Sequence, residues 1–356
     1  MDAYLVFEDG ETFSGQWIGS PKETLGEVVF TTGMTGYQEV MTDPSYAGQI
    51  VTFTYPLIGN YGTVMGESES DAPTCTGVVV SELFGGGENG LAVWLDRHGV
   101  PGLSGVDTRA VVRKIRSQGA MRGMFSSNPR PTVTGWPDPL SAEWVDSVSV
   151  RTPVFHPAKV SDASHIVLID FGYKRSILQS LIEGGCQVTV VPWFWPPQKI
   201  ESLDPDGLLF SNGPGDPKAM LPWVSGWVPL VQKIPTLGIC LGHQILALAF
   251  GADTQRLPFG HRGSNHPVKE LATEEVWMTS QNHGYAVCSD SLDLAVWELT
   301  HSHVNDGSVE GLAHRQYPIF TAQFHPEAHP GPEDAAGLFQ RFIDRVNAAK
   351  EVKVYG

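Results

Sequence analysis

Five residues, Gly238-Ile239-Cys240-Leu241-Gly242, set one thiol between two glycines where the apolar run IPTLGIC meets a helical pattern, LGHQILALAF. A lone cysteine usually behaves as a small buried hydrophobe, and packing alone does not call for a glycine on either side. Gly-x-Cys-x-Gly is the cysteine version of the strand–turn–helix elbow that projects a nucleophile from a sheet edge. A helix starting at Leu241 would aim its free N–H groups and positive end at the sulfur, favouring thiolate. Those N–H groups, Leu241's first, could also hold an oxyanion.

A nucleophilic thiol needs a base, and the base needs an orienting group. Twelve histidines compete. His98, His156 and His165 lie outside the pattern of the second half and read as surface or loop positions. His243, in the first turn of the predicted helix, points away from Cys240 and reads as packing. His301 and His303, in THSHVND, could ligate a metal, but no third ligand suggests itself and no metal site is assigned. His261, His266 and His283 sit in Gly- or Asn-rich segments read as loops, where they could contact a ligand. His325 differs, because FHPE ends an apolar run and places Glu327 two residues on. In extended backbone, residues two apart share a face, so Glu327 can reach the far nitrogen of the imidazole. Cys240, His325 and Glu327 thus take the roles of nucleophile, base and orienter.

SNGPGDP (211–217) offers glycines at 213 and 215 for a tight turn whose N–H groups could complete an oxyanion hole. It is not a phosphate loop, because no Gly-Lys-Ser/Thr follows and its prolines remove donors. No other nucleotide fingerprint appears. The chemistry on offer is thiol acyl transfer.

Those residues need elements to position them. From 165 onward, short apolar runs (HIVLID, CQVTVVP, GLLF, TLGIC) alternate with helical spacing (YKRSILQSLIEGG, LGHQILALAFG). Such alternation predicts right-handed βαβ units and a doubly wound, mostly parallel sheet. Ligands bind beyond the carboxyl ends of such strands, where Cys240 and the NGPG glycines fall. VWMTSQNHGYAV to PIFTAQFHPE reads as further strands, and EDAAGLFQRFIDRVNAAK as a closing helix. The first half is strand-rich (YLVF, GEVVFTT, QIVTFTY, TGVVVSEL), with helices in LAVWLDRHG and DTRAVVRKIRSQG. The fold class is therefore α/β, a strand-rich N-terminal α/β domain followed by the doubly wound domain. Pro-rich NPRPTVTGWPDPL (128–140) and polar HPAKVSDASH (156–165) put the boundary near 150–163, dividing the chain into 1–155 and 156–356.

The 356 residues carry a formal net charge of −16, which argues against a nucleic-acid partner. The start, MDAYLVFEDG, is not a signal peptide, and no stretch reads as a membrane span. The four cysteines form no CxxC pair. Neither a zinc cage nor a disulfide framework is suggested, and a reducing cytoplasm is the expected compartment.

Taken together, SNGPGDP, LGICLGHQ, TSQNHGYAV and QFHPEA resemble the class I (triad-type) glutamine amidotransferases. TTGMTGYQEVMTDPSYAGQIVTFTYPLIGNYG (31–62), GVDTRAVVRKIRSQGAMRGMF, FGHRGSNHPV and NDGSVEGLAH are similar to the small subunit of carbamoyl-phosphate synthase over nearly the whole chain. The resemblance implies glutamine hydrolysis in the second domain through a γ-glutamyl thioester on Cys240, with His325 as base and Glu327 orienting it. It further implies that Ser45, Gly213, Gly215, Leu241, Gln244, Asn282, Gly284 and Tyr285 contact L-glutamine, Tyr285 through its backbone. It implies no cofactor or metal in this chain. ATP, Mg2+ and bicarbonate would be used by a separate large subunit, joined to this chain as a heterodimer or higher oligomer through the N-terminal domain. Two other readings stand beside it, a glutaminase serving a different synthase and a non-catalytic docking relative. A docking relative would be expected to have lost the cysteine or the histidine.

Overall fold

The structure, a computed structural model, describes residues 2–133, 135–136, 141–160 and 162–355. Residues 134 and 137–140 of the Pro-rich stretch, and 161 of the polar one, lie outside the described residues. Seven strands come first: β1 (Asp2–Phe7), β2 (Thr12–Gly19), β3 (Thr24–Thr31), β4 (Gln49–Phe53), β5 (Gly77–Val79), β6 (Pro101–Ser104) and β7 (Met121–Ser126). They close into a barrel in the order β1-β2-β6-β5-β4-β3-β7, parallel from β3 through β6 and antiparallel elsewhere. Closure leaves the barrel no edge strand.

Helices α1 (Tyr37–Thr42), α2 (Leu91–Arg97) and α3 (Thr108–Gln118) cover it. In β3, Val28 and Phe30 enter one apolar cluster with Val111 and Ile115 of α3, while Val29 enters a second with α1 and α2. Both faces of the strand are buried, which is why GEVVFTT reads as a continuous apolar run. Asp107 caps α3 by accepting the Ala110 N–H, and Gly119 ends it at φ 92°, as DTRAVVRKIRSQG predicts.

The second sheet has ten strands: β8 (Val154–His156), β9 (His165–Asp170), β10 (Gln187–Pro192), β11 (Gly207–Phe210), β12 (Thr236–Ile239), β13 (Thr254–Glu270), β14 (Val276–Val287), β15 (Trp297–His303), β16 (Val309–His314) and β17 (Ile319–Ala322). Their order is β14-β13-β15-β16-β17-β12-β11-β9-β10-β8. The centre, β10-β9-β11-β12-β17, is parallel, and the remaining strands extend it antiparallel on both sides. Helices α4 (Glu143–Val148), α5 (Arg175–Glu183), α6 (Pro197–Glu201), α7 (Leu221–Val231), α8 (Leu241–Ala249) and α9 (Gly337–Tyr355) flank it. In β9, Val167 and Ile169 face the layer holding α7 and α8, while Ile166 and Leu168 face the layer holding α5 and α9. The parallel order is that of a flavodoxin-like sheet, whose direction of winding switches between β9 and β11. A crevice therefore opens beyond the carboxyl ends of β9, β11, β12 and β17, which lead into residues 171, 211, 240 and 323.

Three local expectations change. The segments around His261, His266 and His283 are strand rather than loop: His261 and His266 lie on the 17-residue β13, and His283 opposite them on β14. Register shifts at Arg256/His261 and Gly263/His266 accommodate the prolines and glycines that suggested a loop. His156 and His165 belong to β8 and β9. His325 and Glu327 meet around a turn closed by the Ala328 N–H on His325 O, not along an extended strand. Among the described residues, no helix is long and apolar enough to cross a membrane.

Candidate active site

Cys240 stands between β12 and α8 at φ 52° and ψ −102°, a conformation L-residues rarely adopt. Two close approaches explain its neighbours. A Cβ on Gly242 would lie 2.1 Å from Phe210 O, and one on Gly238 would lie 2.8 Å from the Gly242 backbone. The chain can turn this tightly only with glycine at both places. The Cys240 N–H bonds Ala322 O at 2.8 Å, and Sγ lies 3.6 Å from Asn282 O. Of the first N–H groups of α8, which have no partner within the helix, that of Gly242 donates to Ser211 O at 3.0 Å.

His325 follows β17, held by its N–H on Ser280 O at 2.9 Å. Its Nδ1 lies 2.5 Å from Glu327 Oε1, and its Nε2 makes no hydrogen bond within the protein. Burial opposes charge on His325, but the Glu327 carboxylate and the interactions with Cys240 and Glu327 outweigh it and raise the pKa well above 6.5. Glu327 is shifted the other way: burial would raise it, and the charges of Lys174 and His325 hold it well below 4.5.

Lys174 carries no motif and escapes sequence reading. Its buried Nζ lies 3.2 Å from Glu327 Oε1 and donates to Ala328 O at 2.6 Å. The loop bearing it is anchored by Asp170, which accepts the N–H groups of Gly172 and Tyr173 at 2.7 and 2.9 Å. His243 is fully buried, with Nδ1 2.7 Å from Thr321 Oγ1, and burial pushes its pKa down to about 3. It is a neutral packing residue, as expected.

An open cleft of about 660 Å³, mouth included, reaches Cys240. Ser45, Gly213, Gly215, Gln244, Asn282, Gly284 and Tyr285 all line it. Leu241 does not. Its side chain is buried in the core, leaving only its backbone for the cleft. The Gln244 amide nitrogen is committed to Tyr285 O and Gln323 Oε1, at 2.8 and 2.9 Å.

Much of the wall belongs to the barrel: Glu27, Ser45, Ala47, Gly48, Gln49 and Ala120. Asp43 joins the two halves. Its carboxylate accepts Ser45 N–H at 2.9 Å and Asn282 Nδ2 at 2.8 Å, while Asn212 Nδ2 donates to Ser45 Oγ at 2.9 Å. Glu27 pairs with Arg256 of β13 across the same boundary. Asp43 and Glu27 had no signal of their own in the sequence, since only the fold shows that the turn at Asp43 meets β14 and that β3 meets β13.

Comparison with known proteins agrees with this arrangement. Residues 167–345 match the family described as glutamine amidotransferase class-I, and residues 5–125 match the carbamoyl-phosphate synthase small chain, CPSase domain. The chain is 49% identical to the carbamoyl phosphate synthase arginine-specific small chain of Halalkalibacterium halodurans, with 100% of each chain covered. It is 47% identical to the carbamoyl phosphate synthase small chain of Listeria monocytogenes and 46% to that of Bacillus cereus, each over 99% of this chain and 98% of the relative. With an elbow cysteine at the switch-point crevice and both halves matched, the chain belongs to the carbamoyl phosphate synthase small chain family.

Proposed function

We propose that this chain hydrolyses L-glutamine at Cys240 and passes the ammonia to a separate large subunit that makes carbamoyl phosphate. One observation carries the reading: Cys240 faces the cleft at the start of α8, with His325 beside it and His325 Nδ1 2.5 Å from Glu327 Oε1. In the first step Sγ, whose proton already rests on His325 Nε2, attacks the side-chain carbonyl carbon. The oxyanion so formed is held by backbone N–H groups at Leu241 and in the turn at Gly213. Collapse breaks the C–N bond, and His325 returns the proton to the departing ammonia. Water, deprotonated by His325, then attacks the thioester and releases glutamate. Glu327, held by Lys174, fixes the imidazole tautomer throughout.

Ser45, Gly213, Gly215, Gln244, Asn282, Gly284 and Tyr285 orient the substrate, with Leu241 acting through its backbone. Because the Gln244 nitrogen is already committed, its contact to substrate runs through Oε1. Residues 1–155 form the docking half and 156–356 the glutaminase half. ATP, Mg2+ and bicarbonate belong to the large subunit. Operation in the cytoplasm suits a thiol that must stay reduced. The match over residues 5–125 favours this synthase over another.

The test is Cys240→Ser in the assembled two-chain enzyme. Glutamine hydrolysis should fall by about 10³-fold or more, while carbamoyl phosphate formation from free ammonia persists. Retained glutamine hydrolysis overturns the mechanism.

A further inference from the structure

Four histidines from three neighbouring strands meet at the wall of the cleft, which His283 itself lines. His261 and His266 of β13 pack against His303 of β15, and His283 of β14 lies beside His261. Ring centroids are 5.2 Å apart for His261 and His266, 5.3 Å for His266 and His303, and 4.5 Å for His261 and His303. Imidazoles radiating from one tetrahedral ion, about 2.1 Å from each nitrogen, have centroids about 5 Å apart. One ring nitrogen from each of His261, His266 and His303 lies within 4.8 Å of the others. The edge between His266 Nδ1 and His303 Nε2 is 3.1 Å, close to the ~3.4 Å that such an ion would impose.

The carboxylates fit the same arrangement. Asp306 Oδ2 is 2.8 Å from His261 Nε2, and Asp306 Oδ1 is 3.4 Å from His303 Nδ1. It therefore holds the outward nitrogen of His261 and stands near that of His303, the place a carboxylate takes behind metal-bound histidines. His261 is buried, yet its Nδ1 makes no hydrogen bond, and Glu310 Oε1 stands 3.7 Å away. A hydrogen-bonded histidine network accounts for the contact of His266 with His303, but this buried nitrogen completes no hydrogen bond within it, its facing carboxylate standing beyond hydrogen-bond distance.

We propose that His261 Nδ1, His266 Nδ1 and His303 Nε2 form a binding site for a divalent ion of the Zn2+ class. All-imidazole ligation selects Zn2+, Co2+, Ni2+ or Cu2+ over Mg2+ and Ca2+. Asp306 and Glu310 balance the charge, and half-buried His266 gives the route in from solvent. The Asn305 N–H, 3.2 Å from His303 Nδ1, keeps the His303 proton on Nε2 in the metal-free protein. Binding moves that proton to Nδ1, toward Asp306 Oδ1, and breaks the bond from the Asn305 N–H, which must turn away from Nδ1. His301, the other histidine of THSH, takes no part. A register shift at this point of β15 leaves it packed on Trp277, 4.0 Å from Glu270. The proposal is independent of the glutaminase reading.

The experiment uses the full chain with Cys240→Ala, so that the active-site thiol cannot bind the probe. Zn2+ titration should show one ion per chain, and Co2+ should give the intense visible bands of a tetrahedral nitrogen/oxygen site, unchanged by added Mg2+. His266→Gln and His303→Gln, checked for native folding by circular dichroism, should each weaken binding about tenfold or more. X-ray absorption of the Zn2+ protein with intact histidines should show three imidazoles, which keeps the test decisive if either variant fails to fold. Absence of stoichiometric binding, affinity unchanged in both folded variants, or fewer than three imidazoles around zinc overturns the proposal.

Discussion

Beside Cys240, His325, Glu327 and Lys174 form one buried electrostatic chain in which the carboxylate is held below its ordinary pKa and the two cationic groups above theirs. The sign of its pH dependence follows. Glu327, held below its ordinary 4.5, contributes stability that is present above 4.5 and lost as pH falls below it. His325, held above its ordinary 6.5, contributes stability that is full below 6.5 and lost as pH rises toward its elevated value. The combined contribution is therefore largest between pH 4.5 and 6.5. Urea unfolding should show the stability gap between the wild type and Glu327→Gln widest in that window and narrower at pH 3 and at pH 9. A gap independent of pH would contradict the pairing. Cys240 adds a cost of a different kind, since a positive φ with ψ −102° strains an L-residue by about 1–3 kcal/mol. That strain sits on the one side chain whose projection into the cleft depends on it.

Strands and helices with strong local signals were legible in advance, and so was the site they carry. GICLG and HPE announce themselves because a turn needing glycine and an imidazole followed by a carboxylate are local patterns. β13 was hidden because its Gly260, Gly263, Pro258 and Pro267 argue for loop, whereas the bulges that tolerate them depend on pairing with β14. Helix α7 was hidden by Pro229 inside it, and burial of Trp227, Leu230 and Val231 overrides that signal. Barrel closure joins β1 to β7 across more than a hundred residues and leaves no local trace. The turn after α1 belongs to the same class. Asp43 touches Ser45 and Asn282 without lining the main cleft, so it positions rather than reacts. Asp43→Ala should raise the glutamine KM roughly tenfold or more while changing kcat much less, as loss of hydrogen bonds to a charged acceptor implies. A kcat loss with KM unchanged, read by steady-state kinetics, would move Asp43 into the chemistry instead.

The cleft belongs to neither half alone. Its floor is the switch-point edge of the ten-stranded sheet, and one wall is the barrel around residues 45–49. Hydrogen exchange should register this. Covalent capture of Cys240 by a glutamine analogue should slow exchange in residues 43–49 of the barrel as well as in 282–285 of β14. Protection confined to the second sheet would mean that the barrel only borders the site. The Asp43–Asn282 contact and the Asn212–Ser45 bond also limit what can be transplanted. A chimera that grafts residues 156–356 onto another ammonia-consuming synthase would inherit Cys240, yet Asn212 and Asn282 would face a position with no acceptor. To travel as a working cartridge, the graft must take the 43–45 turn with it, so the smallest exchangeable part is larger than the domain that holds the cysteine.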